Sequence, residues 1–313
     1  MVRRLVCVGI LAAAFAGPPP AAQPVFRSGA PVVVPVPVIV TDAGGRLVTD
    51  LDVGDFELRD DGRPQRITHF DNSIRPISLV VLVDTSLSMT LVLDRAKAAV
   101  EQLLLRLLPD DRALVGGFAG RIELDGEFTS DRDALLARVR ELDYGSQTRL
   151  YDAVAAGVER LRGEAGGMST RRVVLVVTDG ADMGSQLDAD EVLARAQREN
   201  VMIYGVGLET EITVLNRRVR SRPDRTLRRF AEATGGGWFQ LDEDADLGPT
   251  FTRVARELHT HYLLGFTPER LDNREHRLEV KIRRPGLVAR ARRSYIASVA
   301  PDSTGSPAAA RNR

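Results

Sequence analysis

Cysteine is all but missing from this chain of 313 residues, with Cys7 the one example. Disulfides are therefore excluded, and stability has to come from an apolar core or from a bound metal. Lysine is nearly as scarce. Lys97 and Lys281 stand alone, and the rest of the 43 basic residues are arginine. The arginines are spread over the whole chain, a skew that reflects genome composition more than function. An excess of charge is also lacking, because 43 acidic residues balance the basic ones to a formal +0. That balance removes any global electrostatic case for nucleic acid or for an anionic membrane. Three catalytic signatures are absent as well. The chain has no Gly-x-Ser-x-Gly elbow, no Walker-type glycine loop with its lysine, and no second aspartate two residues after the one that ends its most apolar run.

What is present begins with Met1-Val2-Arg3-Arg4, an apolar stretch over residues 5–16, and Gly17-Pro18-Pro19-Pro20. A basic start, a short apolar core and small residues describe a secretory signal peptide over residues 1–22. Twelve residues are too few to span a bilayer stably. The reading is of an exported protein, secreted or held in the periplasm or cell envelope, with no transmembrane span in its mature form.

Residues 23–76 read as a small antiparallel β module. Pro35 and Pro37 mark an edge strand or an edge segment, because proline cannot donate to a ladder. Asp60-Asp61-Gly62 is a hairpin turn between period-2 segments. From Ile77 the grammar changes to alternating strands and helices as far as residue 260. Buried strands are expected at 77–83, 172–177 and 201–207, a strand-like run at 121–128, and a helix from Ser130, its N-cap. This succession predicts an α/β fold, a doubly wound and mostly parallel sheet with helices on both faces. Residues 261–299 return to β patterning. Neither β fragment is large enough alone, so the two flanks are expected to form one discontinuous β domain. Residues 300–313 are a polar tail, expected to be disordered.

The chemistry sits at strand ends. The run 77–83 stops at Asp84-Thr85-Ser86-Leu87-Ser88, one carboxylate and two hydroxyls at the carboxyl end of a buried strand, where open α/β sheets bind ligands. Thr148 lies in the loop before a helix, and Asp179 follows another buried strand. Asp84, Ser86, Ser88, Thr148 and Asp179 are thus expected on loops at one edge of the sheet. Such all-oxygen donors suit a hard cation such as Mg2+, with Mn2+ or Ca2+ as alternatives. Each residue also has a structural reading: the serines and Thr148 as helix caps, Asp179-Gly180 as a turn.

These segments, in this order and on these elements, resemble the von Willebrand factor type A domain and its metal-ion-dependent adhesion site. Residues 51–67 and the ending Arg290-Ala291-Arg292-Arg293-Ser294-Tyr295 look like bacterial secreted members of that group. The resemblance implies that Ser86 and Ser88 ligate the ion directly. It gives Asp84, Asp179 and Thr148 direct or water-mediated roles, and leaves one position for an Asp or Glu carboxylate from a partner protein. It implies a binding module rather than an enzyme. Two alternatives stand beside it: a metal-independent structural or assembly subunit of an envelope complex, and an aspartate-nucleophile phosphotransferase. His259-x-His261 reads as a surface pair and Trp238 as sheet-edge core. The arginines between 217 and 229 read as a solvated face, with anionic polymer or lipid binding a minority option.

Overall fold

The computed structural model describes residues 32–166, 168–214, 217–242 and 244–298. The expected signal peptide and tail lie outside the described residues, as do the side chains of Arg217, Arg218 and Arg220. Four strands come first: β1 (Val34–Asp42), β2 (Phe56–Asp60), β3 (Arg63–Gln65) and β4 (His69–Asp71). The central region then runs β5 (Ile77–Asp84), α1 (Leu93–Leu104), β6 (Arg112–Phe118), β7 (Ile122–Glu123), α2 (Arg132–Glu141) and α3 (Leu150–Leu161). It continues with β8 (Arg171–Thr178), α4 (Ala189–Arg198), β9 (Val201–Leu208), β10 (Thr210–Val214) and β11 (Arg217–Ser221). It ends with α5 (Arg225–Thr234), β12 (Trp238–Leu241) and α6 (Leu247–His259). Four more strands close the described chain: β13 (Tyr262–Phe266), β14 (Glu275–Ile282), β15 (Leu287–Ala291) and β16 (Ser294–Ile296).

The central sheet has the order β12-β9-β8-β5-β6-β7. Every pairing in it is parallel except that of β6 with β7. All eight residues of β5 are buried, as expected of a strand covered on both faces. Their side chains divide by parity, since successive residues of a strand point to opposite faces. Leu79, Val81 and Val83 pack with α1 and α6, including Val100, Phe251 and Leu258. Val80 and Leu82 pack with α3 and α5, including Val154, Leu227 and Phe230. The chain runs from β5 outward to β6, then returns to place β8 on the other side of β5. That reversal makes the carboxyl ends of β5 and β8 the topological switch point, the crevice in which such sheets bind ligands.

The flanking strands form two four-stranded sheets, β15-β1-β13-β4 and β16-β14-β2-β3, each built from both ends of the chain. They share a core that includes Val36, Val38, Phe56, Leu58, Leu264 and Phe266. Tyr262 ties the two sequence halves together. Its hydroxyl accepts from Leu51 N at 3.0 Å and donates to the Val48 carbonyl at 3.0 Å. The prolines mark an edge segment rather than an edge strand: β13 pairs with Val34–Val38, while β15 pairs only from Val38 onward. Pro35 and Pro37 therefore lie on the half of β1 with one neighbour, which is where a missing N–H does least harm. The hairpin turn is confirmed. Asp61 and Gly62 have φ of 47° and 79°, the two left-handed residues of a type I′ turn.

Four local expectations differ. The strand-like stretch 121–128 shrinks to the two residues of β7. Asp131, not Ser130, caps α2, its carboxylate accepting from the amides of Asp133 and Ala134. A short 3-10 turn, Leu87–Leu91, precedes α1. The β10–β11 hairpin falls where no strand was expected. Trp238 does sit on an edge strand, with its ring laid over Gly205 and Gly207, where a Cβ would come within 2.8 and 2.5 Å of the indole. The two histidines are not a surface pair. His259 is hydrogen-bonded to Asp111 at 2.7 Å with its side chain 12% exposed, and His261 is buried beside Tyr204.

Candidate metal centre

Hydrogen bonds between loop backbones bring the three sequence segments together. The amide of Gly145 donates to the Thr85 carbonyl at 2.8 Å, and Met183 donates to the Thr148 carbonyl at 2.8 Å. The Asp182 carboxylate accepts from the Tyr151 amide at 3.2 Å and from the Ser185 hydroxyl at 2.5 Å. The loops after β5, before α3 and after β8 are thereby stitched into one surface at the carboxyl end of the sheet.

Asp84, Ser86, Thr148 and Asp179 are all buried, and Ser88 is half-buried. The Ser86 amide donates to Asp84 Oδ1 at 2.9 Å. The hydroxyls of Ser86 and Ser88 lie 3.1 Å apart, and Ser88 donates to Asp179 Oδ1 at 2.8 Å. Gly180 marks the floor of the same space, because a Cβ on it would stand 3.8 Å from Thr148 Oγ1 and 3.9 Å from Ser88 Oγ. Four of the oxygen donors named from the sequence thus converge around Ser88 and Gly180. Asp84 joins them through the Ser86 amide.

Neither serine caps through its side chain: Ser86 takes the N-cap position of the 3-10 turn without a side-chain capping bond. Two hydroxyls that sequence reasoning missed orient the carboxylates. Thr178 Oγ1 donates to Asp84 Oδ2 at 2.5 Å while accepting from the Gly180 amide at 3.1 Å. Thr210 Oγ1 donates to Asp179 Oδ2 at 2.7 Å. The one signal for Thr178 was its place directly before Asp179 at a buried strand end.

Burial raises the Asp84 carboxyl to about 6, with the Asp179 charge adding to the shift and the Thr178 and Ser86 donors opposing it. Burial also raises Asp179, against the Thr210 and Ser88 hydrogen bonds. Two desolvated carboxylates beside neutral donors are electrostatically expensive when ionised. The donor set is all oxygen, and each serine hydroxyl keeps lone pairs free after donating its proton. These residues therefore fit a hard divalent cation.

A second cluster, Asp60, Asp61 and His276, offers ligand atoms within 4.8 Å of one another. It belongs to the β-sheet region, and its imidazole is already engaged on both sides. Nδ1 lies 3.2 Å from Asp60 and 3.3 Å from Asp61, and Nε2 lies 3.1 Å from Asp272. Burial would lower the His276 pKa, but the hydrogen bonds to Asp272 and Asp60 outweigh it and raise the value. With both ring nitrogens already facing carboxylates, the cluster is an ion-pair knot within the described residues.

A mostly parallel sheet covered on both faces, with oxygen donors at its switch point, defines a doubly wound α/β fold. The model of the von Willebrand factor type A domain matches residues 79–181, a span that contains all five donors. Over that span the chain is similar to the von Willebrand factor type A domain family. No curated protein matches the sequence. Among solved structures it is similar to a von Willebrand factor type A protein from Catenulispora acidiphila, with 12% identity and a TM-score of 0.51, covering 77% of this chain and 73% of that one. It is also similar to an aerotolerance-related membrane protein from Bacteroides fragilis, at 15% identity and TM-score 0.49, covering 58% of this chain and 98% of that one. A third likeness is to proximal thread matrix protein 1 from the mussel byssus, solved with a zinc-occupied MIDAS motif. It shows 17% identity and TM-score 0.49, covering 62% of this chain and 48% of that one.

Proposed function

We propose that this chain binds a partner protein through a divalent cation, Mg2+ foremost, held by Asp84, Ser86, Ser88, Thr148 and Asp179. The observation that carries the reading is the convergence of hydroxyls from three segments, at Ser88, Thr178 and Thr210, on the buried carboxylates of Asp84 and Asp179. Ser86 and Ser88 would ligate the ion directly, and the two carboxylates would balance its charge. A bound cation would supply an electron-poor coordination position, suited to an Asp or Glu carboxylate from outside.

The surroundings favour a protein partner. Leu87 and Leu91 flank the serines at 67% and 64% exposed, and Met183, on the loop after Asp179, is 72% exposed. Exposed apolar side chains around a polar centre mark interaction surfaces. In this reading residues 77–260 are the binding unit and the strands of 23–76 and 261–299 its platform, carried by an exported protein. No catalytic step is assigned, since the position two residues after Asp84, where a phosphotransferase would carry its general acid, is Ser86.

One observation favours the metal-independent alternative. Thr178, Thr210, Ser88 and the Ser86 amide already give each carboxylate two donors, so the site is internally satisfied as it stands. Calorimetry with Mg2+ and Mn2+ on the wild type and on Asp84→Ala separates the two. Saturable binding lost in the variant supports the cation-dependent reading. Equal binding in both proteins, or none in either, overturns it in favour of an assembly subunit.

A further inference from the structure

The opposite end of the central sheet holds a second constellation. Where the amino end of β8 meets α4, β1 and β16, a cavity of about 420 Å3 opens, within the size range of small-molecule sites. Arg162, Arg172, Arg198 and Arg292 line it against a single carboxylate, Glu199. That carboxylate is shared, lying 3.6 Å from Arg162 and 3.9 Å from Arg172. One side of the cavity is apolar, formed by Val33, Pro35 and Ile296. A narrow recess of about 30 Å3, room for one or two waters, shares Arg172, Asn200 and Arg292 with it.

Arg292 is the centre of the argument. It is 8% exposed, and no carboxylate pairs with it among the described residues. Its Nη1 donates to Asn200 Oδ1 at 2.6 Å, its guanidinium lies 5.7 Å from the centre of the Tyr295 ring, and its Nε has no acceptor. The backbone is fixed from the other side. Arg293 N donates to the Ala233 carbonyl at 3.2 Å, and the left-handed Gly235 packs against the Arg292 amide. Burial lowers the Arg292 pKa to about 10, partly offset by Tyr295. An uncompensated buried cation is costly, and an anion beside it would relieve that cost.

We propose that this cavity binds a small organic oxyanion, a phosphate or carboxylate attached to an apolar group. Arg292 and Asn200 would meet the charged head, Arg172 and Arg198 would widen its field, and the Val33–Pro35–Ile296 wall would take the apolar part. Guanidinium groups suit this role because their fork of donors matches planar and tetrahedral oxyanions. The site is independent of the metal centre. Arg171 and Thr178 sit at opposite ends of β8, about 23 Å apart at the rise of an extended strand, so failure of either reading leaves the other standing.

The test uses the full chain in EDTA, titrated calorimetrically with inorganic phosphate, phenyl phosphate and benzoate, each against sodium chloride of equal ionic strength. At least one aromatic anion is expected to bind saturably and at least tenfold more tightly than inorganic phosphate. Whichever of phenyl phosphate and benzoate binds better identifies the head group. Arg292→Gln and the surface variant Arg198→Ala are each expected to weaken binding at least tenfold. Should Arg292→Gln fail to fold, Arg198→Ala still decides. Absence of saturable binding by all three anions, or equal affinity in the wild type and the folded variants, overturns the proposal.

Discussion

Replacing Thr178 by valine isolates the least visible part of the metal centre. Valine has nearly the same shape, so no cavity opens at this fully buried position. What is lost is the hydroxyl that donates to Asp84 Oδ2 at 2.5 Å and accepts from the Gly180 amide at 3.1 Å. Hydrogen bonds to charged groups contribute about 1.5–3 kcal/mol, and stranding a buried amide adds to the loss. Urea unfolding of Thr178→Val at pH 8 in EDTA is therefore expected to show a loss of about 2–3 kcal/mol. The metal affinity is the sharper readout. Thr178 would not touch the ion, but it fixes the rotamer of a carboxylate that would. Removing partners of this kind typically costs about 10–100-fold in metal affinity, or roughly 1.4–2.7 kcal/mol. Calorimetry with Mg2+ on the folded variant measures this directly. A Kd within twofold of the wild type would refute the idea that Thr178 orients Asp84.

Other outcomes follow from the same structure. Because the Asp84 pKa is raised from 3.8 to about 6 by burial, its contribution to stability is fully present below about pH 4 and lost as pH rises through about 6. The ionised form costs on the order of 3 kcal/mol. The urea midpoint in EDTA should fall between about pH 4 and 6.5 and level off above, saturating Mg2+ should offset that fall, and Mg2+ affinity should weaken about tenfold per unit below pH 6. His276 carries the opposite chemistry. Its folded pKa is raised by Asp272 and Asp60, so its stabilisation is full below about pH 6.5 and lost as pH climbs through the folded value. His276→Gln should therefore destabilise more at pH 6 than at pH 9 in paired urea titrations. Gly207→Ala would drive a Cβ to 2.5 Å from Trp238 and 2.6 Å from Pro223, and a loss of about 1–3 kcal/mol is expected by thermal unfolding. Residues 77–260 expressed alone should unfold cooperatively. Loss of a cooperative transition would sink the reading of that span as an inserted unit.

The donors were legible because of where they sit in the pattern. An apolar run that stops at a carboxylate can be read directly, as with Val83-Asp84 and Thr178-Asp179. The supporting hydroxyls were not legible for physical reasons. Thr178 is indistinguishable in type from any β-branched strand residue, and only the fold shows that its side chain turns to Asp84. Thr210 opens a hairpin whose neighbours include Glu211, Arg217, Arg218 and Arg220. Its first strand does alternate, as Glu211-Ile212-Thr213-Val214, but it is short, and the arginine-rich strand after it reads as a solvated face. The two prolines of β1 correctly marked an edge segment, in a strand that is an edge over half its length and interior over the other half. His259 and His261 looked solvated because sequence does not report that Asp111 and Tyr204 converge on them.

The two antiparallel sheets that draw strands from both ends of the chain have a consequence for how the molecule is made. Val36 pairs with Leu264 and Leu58 with Val280, so neither sheet exists until nearly the whole chain is available. Pairings between such distant residues carry a large loop-closure entropy while the intervening chain is disordered. Folding the α/β region first brings the ends of β4 and β13 close and removes most of that cost. The order of events is then set by topology: the end that carries the candidate metal centre can be assembled early, while the sheets that join the two ends of the chain close last. Refolding should show two phases, and substitutions in β1 or β13 should slow only the second.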